Sequence, residues 1–274
     1  MLQTAKATVK AIGDRFPSLN EPLYRAAYGA LDLWEWRRRG AFVPPMPRAW
    51  LRAKIGGRRL EEFLEAGRRY AQGIEAMVAG SGRDFVDLEA VLDFGCGCGR
   101  TLRWLAGHAP TVRLHGTDVD AQAIRWCQRH LTFATFAINE PLPPLRYEDA
   151  TFDLVYALSV FTHLDEPAQH HWLAELRRVT KPGGLVIATV LSENAIMHLP
   201  EAGRRALDAN GFAGRGFAFV AGDFPRGVMP EWYQVAYHSE SYVREIFGRY
   251  FTLRDFRPEG IDRKQSVVVL ERPA

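Results

Sequence analysis

The chain has 274 residues, 47% hydrophobic and 24% charged, with a formal net charge of +3. That is enough apolar material to bury one or two cores, and it excludes a disordered or fibrous chain. Apolar runs such as Leu185 to Leu191 fall far short of the roughly 18 residues a membrane-spanning helix needs, so no span is expected.

Lys6, Lys10, Asp14 and Arg15 interrupt the amino terminus before the apolar stretch of a secretory signal can form. The expectation is a cytoplasmic protein. Three cysteines, Cys96, Cys98 and Cys127, specify no disulfide framework and read as free thiols. Residues 1–80 carry 14 Lys/Arg against 8 Asp/Glu, and the remainder 21 against 24. The arginines of the first segment are mostly dispersed, which describes a solvated face better than a nucleic-acid surface. Trp34, Trp36 and Arg37 to Arg39 leave weak membrane association through this basic segment open, although a cap packed over the functional site explains the same residues.

Leu23, Ala27, Leu31 and Trp34 recur at helical spacing between Leu23 and Arg39, and Pro44-Pro45-Met46-Pro47 then forbids a helix. A second helix is expected from about Arg59 to Ala79, ended by Gly80-Ser81-Gly82. Residues 1–80 thus read as a helical extension or cap. After Asp84 the pattern changes. Candidate strands at Ala90–Phe94, Val112–Asp118, Thr132–Ala137, Phe152–Leu158 and Gly184–Val190 alternate with helical stretches at Arg100–Ala109, Ala121–His130 and Ala168–Val179. Strands separated by helices call for a doubly wound α/β domain whose parallel sheet is covered on both faces. Phe251–Phe256 and Ser266–Glu271 are joined by too few residues for a helical crossover, so they are expected to add an antiparallel hairpin.

The most informative stretch is Asp93-Phe94-Gly95-Cys96-Gly97-Cys98-Gly99-Arg100, a strand running into a glycine-rich turn. Alternating glycines permit unusual dihedrals and let a ligand approach the main chain. A dinucleotide loop would place a third glycine where Arg100 stands, and no phosphate-binding G-x-x-x-x-G-K-[ST] loop occurs. Further along stand Gly116-Thr117-Asp118-Val119-Asp120, then Phe152-Asp153-Leu154-Val155-Tyr156 with Ser159 to Leu164, and then Leu176 to Gly184.

These four motifs, in this order, resemble the class I S-adenosylmethionine-dependent methyltransferases over roughly Asp84 to Ala274. The resemblance implies a Rossmann-like methyltransferase fold over residues 81–274, with a seven-stranded, mostly parallel sheet and a reversed strand in the terminal hairpin. It implies S-adenosylmethionine as cofactor and S-adenosylhomocysteine as product. Asp93, Gly95, Cys96, Gly97, Gly99, Asp118, Val119, Asn139, Leu158 and Ser159 would line the cofactor site. Asp118 would take the ribose hydroxyls; capping the next helix is the plainer role for an aspartate, and the motif context favours the ribose. Asn139 stands where many relatives carry an acidic residue that bonds the adenine amino group, and an amide oxygen can accept the same bond.

A methyl acceptor that is a hydroxyl or a protonated amine needs a base, and histidine titrates in the right range. His163, after the fourth strand, and His238 are the candidates. The resemblance implies an acceptor-binding insertion at residues from about 192 to 245, in which Trp232, Tyr233 and Tyr237 would form an apolar wall; core packing accounts for such aromatics as well. The His163, Asp165, His170 and His171 cluster has a metal look, but adjacent histidines on a helix face different ways, and no metal is expected. The Asn-Pro-Pro-Tyr and Asp-Pro-Pro-Tyr patterns of nucleic-acid amino methylation are absent. The expected function is methylation of a small molecule, foremost at oxygen. The alternatives are N-methylation of a small molecule or protein, a nicotinamide-dependent oxidoreductase, which Arg100 disfavours, and a non-catalytic S-adenosylmethionine-binding protein.

Overall fold

A computed structural model describes residues 16–39, 45–57, 59–224, 228–261 and 265–274. The amino-terminal charges Lys6, Lys10, Asp14 and Arg15, Pro44, and the side chains of Trp36 and Arg37 to Arg39 lie outside that description. Among the described residues no helix is long and apolar enough to cross a membrane. The chain divides into two compact units, one drawn from residues 1–65 and 221–233, the other from 66–220 and 234–274. The division falls inside the second long helix, α3 (Leu60–Gly80), and not at its end near residue 80.

In the first unit, α1 (Asn20–Arg39) and α2 (Ala49–Lys54) are tied by charge. The guanidinium of Arg52, only 2% exposed, donates to Glu35 Oε2 at 2.5 Å and to the Pro47 carbonyl at 2.7 Å. Asp32 accepts from the Ala49 N–H at 2.8 Å, and Glu35 Oε1 from the Leu60 N–H at 3.0 Å. These bonds to both carboxylates, a backbone carbonyl and two backbone N–H groups offset much of the cost of burying the pair. The Trp50 ring lies against α1, with Arg25 at 5.5 Å and Lys54 at 5.3 Å from its centroid.

The second unit is built on a seven-stranded sheet in the order β3-β2-β1-β4-β5-β9-β8. The strands are β1 (Ala90–Phe94), β2 (Arg113–Asp118), β3 (Thr135–Ile138), β4 (Phe152–Ala157), β5 (Thr180–Val190), β8 (Thr252–Arg257) and β9 (Ser266–Glu271). The first five are parallel; β9 runs against both β5 and β8. Burial on both faces is why β1, β4, β9 and the second half of β5 read as largely apolar runs, and the short 258–265 connection enforces the antiparallel hairpin. Helices α4 (Ala121–His130), α5 (Glu166–Val179) and α9 (Glu240–Phe247) cover the sheet together with α3. One core joins Phe94, Phe161, Trp172 and Phe247, and the other joins Ile74, Met77, Leu102, Ile124 and Val269. Trp172 is 1% exposed, lies tilted against Phe94 with ring centroids 4.5 Å apart and donates to the Pro141 carbonyl; truncating it to alanine costs about 3–5 kcal/mol.

The helix expected over Arg100–Ala109 is instead two 3-10 turns, Leu102–Trp104 and Ala106–His108. Gly107 and Pro110 withdraw helical support while Leu102 and Leu105 still bury completely. Strand β5 begins at Thr180, earlier than expected, because Thr180 pairs with Phe152 before a register shift. Among the described residues between β5 and α9 are the short helices α6 (Glu193–Met197), α7 (Glu201–Ala209) and α8 (Phe212–Arg215), and a separate antiparallel pair, β6 (Phe217–Val220) with β7 (Val235–His238).

Candidate functional site

The carboxyl ends of β1, β2, β3 and β4 converge on the glycine turn. Gly95, Gly97 and Gly99 have φ of +80, +53 and +70°, values that side-chain-bearing residues avoid. A Cβ on Gly95 would lie 2.4 Å from Val160 Cγ2, and one on Gly99 2.4 Å from Leu131 Cδ1. The Thr117 carbonyl accepts from the N–H of Gly95 at 2.8 Å and of Cys96 at 2.9 Å, fastening the turn to β2.

Asp118, at the end of β2, accepts from the Gly97 N–H through Oδ2 and from the Asp120 N–H through Oδ1, each at 2.7 Å. The cap of α4 is Asp120, whose carboxylate accepts from Gln122 N and Ala123 N. Asp118 is thus fixed beside the glycine turn and does not serve as the helix cap. A carboxylate at a strand's carboxyl end is the kind of group that accepts from a vicinal diol. Val119 is exposed beside it and Ile138 lies exposed at the end of β3, presenting apolar surface at this rim.

Asn139 follows β3, its N–H donating to the Asp118 carbonyl at 3.2 Å. Its Nδ2 donates to the Glu140 carbonyl at 2.8 Å, while Oδ1 is buried without a hydrogen-bond partner. A buried acceptor left unpaired is costly, and a ligand amino group satisfies it. This orphaned oxygen, with the open glycine turn and the Asp118 carboxylate, fits an adenosine moiety.

Asp93 is 3% exposed at the end of β1. Burial pushes its carboxyl up to about 8, with the neighbouring Tyr156 hydroxyl opposing and the Asp118 charge adding to the rise. The thiols of Cys96, Cys98 and Cys127 are buried, and desolvation raises all three. Such thiols are inert packing groups, and Cys96 and Cys127 both lie 3.6 Å from the Gly97 carbonyl oxygen. The Gly67 to Tyr70 segment of α3 packs on the turn's outlet: the Arg100 guanidinium lies 5.0 Å from the Tyr70 ring centroid.

After β4, Leu158 and Ser159 are half-buried and a 3-10 turn, Phe161–His163, follows. His163 Nδ1 sits 2.7 Å from the Gln234 carbonyl oxygen. A carbonyl only accepts, so Nδ1 carries the proton and Nε2 the lone pair. Burial lowers the His163 pKa, and the Gln234 bond partly offsets this.

His238 is a different case. It is fully buried, with Phe217 at 5.3 Å, Tyr242 at 5.8 Å and Phe247 at 6.3 Å between ring centroids. Its Nε2 bonds Gln169 Oε1 at 3.0 Å, and burial pushes its pKa down to about 3. The expectation of a catalytic base at His238 is corrected: a ring enclosed by aromatics has no path for exchanging a proton with a substrate. The expected acceptor-wall aromatics belong to different units. Trp232 and Tyr233 belong to the first, where Tyr233 packs on Phe224 at 5.1 Å; Tyr237, half-buried, belongs to the second. The histidine cluster also separates. Asp165 caps α5, His170 bonds the Tyr250 hydroxyl at 2.9 Å, and among the described residues no group of three or more such side chains could hold a metal.

Sequence reasoning passed over Val160, Thr189 and Gln265, which shape the end of β4. Val160 stood inside a quoted motif, but nothing in the sequence marks Gln265, whose role depends on strand order.

Residues 91–184 match the family described as Methyltransferase domain. A malonyl-[acyl-carrier protein] O-methyltransferase of Hahella chejuensis is 29% identical over 113 residues, 41% of this chain and 40% of that protein. The chain therefore aligns with less than half of that curated relative's length. Among solved structures, an S-adenosylmethionine-dependent methyltransferase from Clostridium acetobutylicum superposes with a TM-score of 0.55 at 12% identity, covering 81% of this chain and 98% of that one. The Burkholderia thailandensis 1,6-didemethyltoxoflavin-N1-methyltransferase, with bound S-adenosylhomocysteine, gives 0.52 at 20% identity, covering 82% and 88%. These two share the fold.

Proposed function

We propose that this chain, whose residues 91–184 match a methyltransferase domain, is a class I S-adenosylmethionine-dependent methyltransferase that methylates a small molecule at oxygen. The observation that carries the reading is the glycine turn locked to Asp118 with the orphaned Asn139 oxygen beside it, a site shaped for the adenosine of S-adenosylmethionine. When bound, that cofactor supplies an electrophilic methyl group on a sulfonium.

The chain's own task is to hold an acceptor in line with that methyl and to take its proton. Alignment alone supplies roughly 7–11 kcal/mol of barrier lowering. His163 is the proposed base. The Gln234 carbonyl fixes its tautomer, so Nε2 presents a lone pair, and a lowered pKa keeps the ring neutral at pH 7. A hydroxyl acceptor suits this arrangement, and the curated relative with 29% identity is named an O-methyltransferase. Transfer to nitrogen is the second reading: the Burkholderia relative of the same fold is an N-methyltransferase, and a protonated amine would use the same base.

The test is incubation of the protein and methyl-labelled S-adenosylmethionine with cell extract separated into protein, nucleic-acid, lipid and small-molecule fractions. Label in a small-molecule product that releases methanol on cleavage of an ether or ester supports O-methylation; a methylamine product supports the second reading. Label confined to macromolecules overturns the small-molecule assignment. His163→Gln is expected to lower the rate about 10²–10⁴-fold while S-adenosylhomocysteine still binds.

A further inference from the structure

An unusual residue stands two positions beyond the end of β4. Ser159 has φ +58°, a left-handed conformation that a residue with a Cβ holds only when its surroundings impose it. Two side chains distant in sequence do so. Thr189 Oγ1 on β5, 5% exposed, accepts the Ser159 N–H at 2.7 Å. Gln265, immediately before β9, donates from Nε2 to Ser159 Oγ. The next residue is anchored in turn, since Ser266 Oγ lies 2.5 Å from Ser192 Oγ and donates to the Pro258 carbonyl at 2.9 Å.

What Ser159 holds is the glycine turn and the base. Val160 presses its Cγ2 to within 2.4 Å of where a Gly95 Cβ would stand, and its carbonyl accepts the His163 N–H at 2.9 Å. A rotation of the Ser159 backbone out of the left-handed region would displace both contacts. The terminal hairpin thus reaches toward the glycine turn through the Gln265–Ser159 hydrogen bond.

We propose that Gln265 is a positioning residue of the cofactor site, acting through Ser159 to hold Val160 against Gly95. The proposal rests on the S-adenosylmethionine reading above and adds a residue from the hairpin that no motif contains. Replacing Gln265 removes the bond that fixes the Ser159 side chain; replacing Ser159 by glycine removes the same bond and the need for it, because glycine accepts positive φ without restraint.

The experiment is calorimetric binding of S-adenosylhomocysteine to the full chain and to Gln265→Ala, Gln265→Glu, Ser159→Gly and the Ser159→Gly/Gln265→Ala double variant, with thermal midpoints recorded alongside. Gln265→Ala is expected to weaken binding by about threefold to tenfold, the loss of one neutral hydrogen bond. Gln265→Glu, whose carboxylate accepts from the Ser159 hydroxyl, restores affinity to within about twofold of the native chain. In the Ser159→Gly background Gln265→Ala has no further effect, because two residues acting in one chain of contacts are not additive. Native affinity in Gln265→Ala, or the same loss in both backgrounds, overturns the proposal. A native chain that does not bind S-adenosylhomocysteine overturns the cofactor reading itself, before any variant is compared.

Discussion

The backbone N–H of Gly97 and the carboxylate of Asp118 meet at 2.7 Å, joining the turn after β1 to the end of β2. The bond sets the height of the glycine turn over the sheet, and it brings to one place the main chain a ligand would approach and the acidic group it would engage. Removing the carboxylate loosens the turn as well as deleting a ligand contact.

Asp118→Ala is therefore expected to weaken S-adenosylhomocysteine binding by more than tenfold, since hydrogen bonds to a charged group contribute about 1.5–3 kcal/mol. Titration calorimetry reads the effect; unchanged affinity removes Asp118 from the site.

Asn139 offers a sharper test of orientation. Its buried Oδ1 lacks a partner, so Asn139→Ala relieves an unmet acceptor in the free protein while deleting a ligand contact. The thermal midpoint should hold steady or rise, and affinity should fall about twofold to tenfold. A variant that loses stability and keeps its affinity would place the amide in a structural role.

Asp93 predicts a pH-dependent gain. Its folded pKa, about 8, stands above the usual carboxylate range, so its protonated form favours folding at acid pH and that contribution is lost as pH rises toward 8. Asp93→Asn, a neutral isostere, should raise the thermal midpoint of the ligand-free protein at pH 8 and leave it nearly unchanged at pH 4. Equal shifts at both pH values would show that the carboxyl titrates normally.

His238 runs in the opposite sense. Its folded pKa of about 3 lies below the ordinary histidine value, so its neutral form supports folding above about pH 6.5, and that support is lost as pH falls toward 3. At pH 4.5 the native chain should have lost roughly 2–3 kcal/mol from this group. His238→Phe should flatten the acid limb of the stability profile, at a constant cost of about 1–3 kcal/mol for leaving Gln169 Oε1 unpaired. An acid limb as steep as the native one would show that other groups drive it.

Much of this protein was legible without coordinates. Alternating apolar runs and helical stretches determined a doubly wound sheet, because a strand buried on both faces has to be apolar throughout; β1, α4 and β9 lie where the sequence puts them. The glycine spacing located the ligand turn, because only glycine accepts those dihedrals. Other assignments needed the fold. Asp118 and Asp120 are equally plausible helix caps by residue type, and only the approach of Gly97 to one and of Gln122 to the other separates them. His163 and His238 are alike in sequence, yet one ends beside a backbone carbonyl with its Nε2 lone pair defined and the other among three aromatic rings. Gln265 meets Ser159 across 106 positions because β9 pairs with β5 beside β4. Local pattern fixes what a segment can become; burial and the partners of each polar atom depend on chain-distant neighbours, and those are decided when the sheet assembles.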